Sequence, residues 1–377
     1  MDGRKNRKKF YIALAICISI IVVIIDIAFI IIPDRVSSET ENRNLQQFPK
    51  LTFSTLTSGR FESQFDEYIA DQFPFRNAWT GTASFISRLG GKTESNGVLL
   101  GKKGYLIQEF HWPEEEEYKN ILTQFSQVAS VRNDINIYAI VAPTAAGVLK
   151  DHLPANALGS VCDDEYAYID TLCSDIGSMG IKTVDVRDAI SAEAASGVQV
   201  YYRTDHHWTT DAALAAYRCF AGEAHLQDST QDLQRLPVTD SFQGTLSASS
   251  GFRMDQKDTI YVYLPPEGTG TEYVMTDMDT GEKSSSLFFT AFLETRDKYA
   301  LFMGGNHGEL KIQTAADSER NILVIKDSYA NCFIPFMVKD FRNITVIDLR
   351  YYQGDIEQAC ADQDLTDILF LYNAETL

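Results

Sequence analysis

Positive charge is scarce in this 377-residue chain: 33 Lys and Arg stand against 52 Asp and Glu, a formal net charge of −19. A surface of that sign repels polyanions, which argues against nucleic acid as a partner. Any glycan it handles is expected to be neutral, or held in a locally basic groove. Cysteine is also sparse, and none of the six is arranged as Cys-x-x-Cys. Cys17 lies in the first apolar run, leaving Cys162, Cys173, Cys219, Cys332 and Cys360. An odd set cannot pair completely, and Cys162 with Cys173 is the nearest candidate disulfide by sequence. His111, His152, His225 and His307 show no paired ligand spacing, so neither a metal nor another cofactor is expected. Repeats, low-complexity tracts and a Gly-x-Ser-x-Gly elbow are missing as well.

What is present begins with a membrane signal. Arg4, Lys5, Arg7, Lys8 and Lys9 precede a run from Phe10 to Ile32 broken only by Ser19 and Asp26. At about 1.5 Å per helical residue that run crosses a ~30 Å hydrocarbon layer. Ile30-Ile31-Ile32-Pro33 offers no small-residue cleavage site, so an uncleaved anchor is expected, with the basic cluster cytoplasmic and the rest extracellular. Asp26 is expected to snorkel outward. The organisation that follows is a tail at 1–9, an anchor at 10–32, a polar membrane-proximal stalk at 33–60 and an ectodomain at 61–377.

Within the ectodomain, Phe61, Phe65, Tyr68, Ile69 and Phe73 recur at helical spacing before Pro74, which predicts an amphipathic helix packed on the domain. Asn96 to Ile107 reads as a hairpin around a Gly-bounded turn. Buried strands are predicted at Ile135 to Val141, Ile181 to Val186, Ile322 to Ile325, Ile344 to Ile347 and Ile368 to Tyr372. Helical segments are predicted at Glu165 to Ser178, Ala212 to Ala221, Tyr329 to Val338 and Asp355 to Cys360. Alternation of this kind implies an α/β fold with a parallel sheet between helices. Residues from about 226 to 313 depart from it, with short β runs such as Thr259 to Leu264 and Ser286 to Phe292, and read as an antiparallel β insertion.

Two stretches carry chemistry. Thr204-Asp205-His206-His207-Trp208 follows a predicted extended run from Val198 and precedes a helix capped by Thr209. It suits a general base with its orienting acid, a metal-ligand set or a polar helix cap. Period-two spacing sets Asp205 and His207 on one face and turns His206 away, toward a structural or substrate-edge role. The second stretch is Asn321 to Asn331, a strand running into a helix with Ser328 at the turn, where its hydroxyl and N–H meet at the sheet edge. A general-base reading of the first stretch and a nucleophile reading of the second support each other.

At these residues the chain resembles the DHHW proteins, and it is similar to the SGNH-hydrolase-like domain of the alginate O-acetyltransferases, whose motif is Thr-Asp-x-His-Trp. Glu41-Asn42-Arg43, Asp71 to Arg76, Gly304-Gly305-Asn306-His307, Lys326-Asp327-Ser328-Tyr329 and Asp348 to Tyr352 extend the likeness over most of the ectodomain. The resemblance implies an SGNH-like fold with Asp205, His207 and Ser328 as acid, base and nucleophile, in an order permuted from that of ordinary SGNH enzymes. It also implies O-acetyl transfer to an extracellular polysaccharide, with a polytopic membrane O-acyltransferase as acyl donor. An acetylesterase and a catalytically idle glycan-binding or assembly protein are the alternatives. Gly304, Gly305 and Asn306 are candidates to join the Ser328 N–H around an oxyanion. Tyr329, Arg350, Trp208 and His206 are candidate substrate-binding residues, Trp208 being equally suited to packing. Cys332 is expected in the core.

Overall fold

The computed structural model describes residues 2–377 apart from 36, 39–42, 77, 80–81, 84–85, 87–89, 133, 156, 158–161, 228, 253 and 363, and gives backbone only for 2–6, 8, 21, 37–38, 43–44, 53 and 57. Glu41 and Asn42 of the polar run therefore lie outside the described residues. The chain divides into two compact units, Met1–Gly91 and Lys92–Leu377.

The first unit opens with the helix Asp2–Ile31, whose stretch Lys9–Ile31 is long and apolar enough to cross a membrane. The amphipathic helix Arg60–Gln72 belongs to this unit. Its aromatic face packs on neighbours within the unit, Tyr68 against Phe29 and Phe48, and Phe61 and Phe65 against Phe48. The Tyr68 hydroxyl donates to Asp34.

The second unit is a mixed eight-stranded sheet flanked by helices. In chain order its strands are β1 (Asn136–Ala142), β2 (Lys182–Thr183), β3 (Tyr273–Asp277), β4 (Lys283–Ser284), β5 (Glu309–Thr314), β6 (Asn321–Lys326), β7 (Asn343–Ile347) and β8 (Asp367–Asn373). Their spatial order is β4-β3-β5-β7-β6-β8-β1-β2. The half from β7 to β2 is parallel, and its central strands are near-continuous apolar runs buried on both faces. Pairing sets Ala139 beside Phe370, so Tyr138 and Phe370 point to opposite faces. Phe125 of the helix Glu115–Val131 packs on Phe370, and Phe220 of Thr210–Glu223 packs on Tyr138, which puts one helix on each face.

The β-rich segment is less of a separate insertion than its turns suggest. β3, β4 and most of β5 fall inside it, and they continue the main sheet antiparallel because Leu310 and Ile312 pair with Val346 and Ile344 across a buried seam. Among the described residues of that segment, only Gln234–Phe242 and Asp258–Leu264 form a pair of their own. Ser286 to Phe292 is not a strand: Phe288 makes a single bridge to Phe302, and a 3-10 turn begins at Thr290. Ile181 to Val186 contributes only the two residues of β2. Asn96 to Ile107 belongs to a three-stranded meander, Glu94–Ser95, Val98–Leu100 and Leu106–Gln108. All six cysteines are free, Cys162 and Cys173 included.

The chain steps from β6 to its neighbour β7 and then crosses back to β8 on the other side. Ser328 follows β6 at this reversal, where open α/β sheets leave a crevice beyond the strand ends.

Candidate active site

Ser328 owes its position to Asp327. The Asp327 carboxylate accepts from the Tyr329 N–H at 2.8 Å and from the Asn373 N–H and side-chain amide at 2.8 and 2.6 Å, pinning the turn after β6 to the end of β8. Ser328 then heads a 3-10 helix to Cys332, so its N–H has no intrahelical partner. Cys332 is fully buried and burial pushes its thiol up to about 12, so it stays protonated.

The Asp-His loop is built differently from the sequence expectation. No strand leads into it; Tyr201 and Trp208 make one isolated antiparallel bridge, and the residues between them fold back. The cause is an Asx turn, in which Asp205 Oδ1 accepts the His207 N–H at 3.0 Å. In that turn the two imidazoles do not diverge. Their ring centres lie 3.9 Å apart, tilted by 36°. Asp258, fully buried, clamps the start of the loop, accepting from the Arg203 N–H at 2.8 Å, the Thr204 N–H at 3.1 Å and the Thr204 hydroxyl at 3.0 Å.

Within this frame Asp205, His207 and Ser328 come together. The Asp205 Oδ1 lies 2.5 Å from His207 Nδ1, and His207 Nε2 lies 2.8 Å from Ser328 Oγ. A carboxylate at Nδ1 fixes that proton and leaves the Nε2 lone pair toward the hydroxyl, an arrangement able to activate the serine. The other oxygen of Asp205 accepts from the Thr245 N–H at 2.8 Å and from the Thr245 hydroxyl at 3.1 Å. Burial by itself would raise the Asp205 carboxyl, but the two imidazoles and the Thr245 N–H outweigh it and hold the group well below the usual carboxylate range. Gly244 makes the approach possible, since a Cβ there would lie 2.1 Å from Asp205 Oδ2.

His207 is held between two rings. His206 covers one side, and Tyr299 stacks on it at 3.8 Å and 11°, with the Tyr299 hydroxyl donating to the Ser328 carbonyl at 3.2 Å. His206 bonds Thr245 Oγ1 through Nδ1 at 2.8 Å and keeps a partly exposed edge. Desolvation, followed by the neighbouring His207, pushes it down to about 4, so it is neutral near pH 7. Asp205, His206 and His207 could together bracket a cation. In this geometry both nitrogens of His207 and both oxygens of Asp205 are already committed to protein partners, leaving His206 Nε2 as the uncommitted donor atom.

The remaining candidates take different places. Trp208 is fully buried and its indole N–H donates to the Tyr329 carbonyl at 2.9 Å, so it packs the loop and offers no face to a sugar. Tyr329 is buried too, its hydroxyl donating to the His206 carbonyl at 2.5 Å. Gly304 and Gly305 have φ of 83° and 103°, a left-handed pair that glycine adopts without penalty. Asn331 Nδ2 ties this loop to the nucleophile helix through the Gly305 carbonyl at 3.3 Å and Asn306 Oδ1 at 3.2 Å. The buried Lys326 ammonium also donates to Asn306 Oδ1, at 3.3 Å. An ammonium can only donate, so the oxygen of Asn306 must face this cluster and its NH2 the other way. Arg350 forks onto Asp348 at 2.7 and 2.8 Å, and Asp348 also accepts from Lys326 at 3.3 Å, so its charge is already paired. Sequence reasoning missed Tyr299, Asp258, Thr245 and Gly244. None stands in a motif, and a Gly-Thr pair in a Ser-rich stretch reads as a turn.

Comparison with known proteins places this architecture. Residues 85–347 match the profile of the DHHW protein family. Over 179 residues, 45% of this chain and 43% of the other, it is 24% identical to a probable alginate O-acetylase, AlgJ, of Pseudomonas fluorescens, so the match spans less than half the length of that relative. The crystal structure of a DHHW family protein from Eubacterium siraeum superposes with a TM-score of 0.61 at 24% identity, covering 74% of this chain and 92% of that one. Bacillus cereus PatB1 superposes with a TM-score of 0.60 at 20% identity, covering 74% and 95%.

Proposed function

Because this chain belongs to the DHHW family and sets a serine hydroxyl against an Asp-oriented imidazole, we propose that it is a membrane-anchored, serine-dependent O-acyltransferase acting on an extracellular polysaccharide. The observation that carries the reading is the 2.8 Å contact from His207 Nε2 to Ser328 Oγ, in an imidazole whose other nitrogen is held by a buried carboxylate. An idle binding protein has no use for that alignment.

In the first half-reaction Ser328 Oγ attacks the acyl carbonyl carbon while its proton passes to His207 Nε2. Asp205 stabilises the imidazolium. The oxyanion takes hydrogen bonds from the Ser328 N–H and the Asn306 NH2. Collapse breaks the bond to the leaving alcohol, which takes the proton from His207, and Ser328 is left as an ester. An acceptor hydroxyl then gives its proton to His207 and attacks the ester, and collapse breaks the acyl bond to Ser328 Oγ, which takes the proton back from His207. With water as acceptor the same cycle is an esterase.

Two features support transfer to a cell-surface polymer. The apolar helix at the N-terminus suits a single-pass anchor with the remainder outside, and the relative in Pseudomonas fluorescens bears the name of a probable alginate O-acetylase. Cytoplasmic acyl donors do not cross a bilayer, so a polytopic membrane O-acyltransferase would deliver the acyl group. The test is turnover of p-nitrophenyl acetate, with O-acetyl content of the cell-surface polymer measured in parallel. Ser328→Ala is expected to lower turnover by about 10³-fold or more, and His206→Ala by far less. Wild-type activity in Ser328→Ala would eliminate the serine mechanism.

A further inference from the structure

A groove of about 270 Å³ opens on the His206 side of the reaction centre, lined among others by Gln108, Glu109, His111, His206, Thr245 and Glu375. It borders the centre at His206 and at Thr245, whose hydroxyl touches both Asp205 and His206. That hydroxyl has one proton and donates it to Asp205 Oδ2, so the His206 contact runs from Nδ1–H to the hydroxyl oxygen. The tautomer is thereby fixed, and Nε2 of the neutral ring is left as a hydrogen-bond acceptor. Further along the groove stands Glu109, its side chain 12% exposed. Glu375 stands at the rim, where desolvation, followed by the charge of Glu165, pushes its carboxyl up to about 7. His111 lies 3.6 Å from Glu109 and 3.9 Å from Asp163, and Arg350 is forked onto Asp348.

We propose that this groove is the acceptor subsite and that it takes an uncharged, hydroxyl-rich glycan, one sugar hydroxyl donating to His206 Nε2, while uronate or phosphate-bearing polymers are turned away. The inference rests on the seryl chemistry proposed above. Its basis is the polarity of the wall: His206, Glu109 and Glu375 line the groove, and a sugar hydroxyl brings a donor that His206 Nε2 can accept. A carboxylate brings no donor and meets the Glu109 carboxylate, and Glu375 adds to the repulsion as pH rises above about 7.

The test uses the full-length protein in detergent, acylated by p-nitrophenyl acetate and offered a neutral N-acetylglucosamine tetramer or a mannuronate tetramer at equal concentration, with acetylated product read by mass spectrometry. The neutral tetramer is expected to be favoured at least about tenfold, and the double substitution Glu109→Gln with Glu375→Gln to narrow that ratio to about threefold. Because the ratio is taken within each protein, it does not depend on how fast each variant turns over. Equal acetylation of the two tetramers by the wild type, or an unchanged ratio in the double variant, overturns the inference. If neither tetramer is acetylated, calorimetric titration with the same two decides: failure of the neutral tetramer to bind, or equal binding of the uronate, overturns it. Absence of p-nitrophenol release from the wild type counts instead against the seryl mechanism, and the titration still reads the groove.

Discussion

Asp205 and Glu165 are both carboxylates buried to 2% exposure in the second unit, and the fold drives them in opposite directions. Asp205, in the loop before the helix Thr210–Glu223, faces two imidazoles and the Thr245 N–H and is held far below the usual carboxylate range. Glu165, at the start of Glu165–Ser178, takes its hydrogen bonds from neutral groups. It accepts the Thr144 N–H and the Thr144 hydroxyl, each at 2.6 Å, and burial pushes it up to about 7. Burial sets the penalty for charge, and the partners decide whether the charge survives. The first group is kept ionised beside a base. The second spends its oxygens capping the short helix Ala145–Val148 that follows β1.

The sharpest way to break this contrast is to neutralise each group in turn. Asp205→Asn is expected to cost about 10⁴-fold in ester turnover, because the amide no longer holds the Nδ1 proton or stabilises the imidazolium. Glu165→Gln should leave turnover within a few-fold. Equal losses in the two would show that burial rather than chemistry sets the difference.

Stability against pH should separate them next. The Glu165 pKa is raised on folding, so its contribution is fully present below about 4.5 and is lost as pH rises through about 7. The loss is on the order of 3 kcal/mol. Glu165→Gln, whose oxygen can still accept the Thr144 N–H while its NH2 donates to the Thr144 hydroxyl oxygen, should flatten the denaturation midpoint across that window. Asp205 has the opposite sign: its contribution is present above the ordinary carboxylate pKa and fades only as the solution becomes strongly acid.

Each carboxylate also leans on a glycine. An alanine Cβ at 244 would lie 2.1 Å from Asp205 Oδ2, and one at 147 would lie 2.8 Å from Glu165 Oε1. Gly244 has φ of −96°, which any residue adopts, so only space forbids a side chain there. Gly244→Ala should displace the acid and lower turnover by on the order of 10²-fold with little change in melting temperature. Gly147→Ala should instead cost about 1–3 kcal/mol of stability and little activity. Smallest of all, Thr245→Val removes one hydroxyl bond to Asp205 and should slow turnover about tenfold, roughly 1.4 kcal/mol.

Much of the scaffold is legible in the sequence because its elements are written locally. Apolar runs such as Ile322 to Ile325 and Ile368 to Tyr372 lie inside β6 and β8, and the helix Glu165–Ser178 has the bounds its pattern implies. The edges were harder to read. Leu310 and Ile312 alternate with polar residues like any half-buried strand, and nothing nearby says that their partner is β7. Asp205, His206, His207 and Ser328 stand out by residue type, whereas Trp208 carries the same motif and serves only to pack it.

The apolar N-terminal segment, the run of buried strands and the kinds of group available for chemistry can be read from the residues alone, since each is set by side chains within a few positions of one another. Tertiary structure alone decided their relations. The His207 to Ser328 contact joins residues 121 apart, Thr245 meets Asp205 across 40, and Asp258 clamps Thr204 across 54. The ring that stacks on His207, the tautomer of His206 and the glycine that admits Asp205 all follow from those meetings. Hydrogen bonds and ring contacts act over about 3–4 Å, and only the packed sheet and its crossovers bring such distant residues within that range.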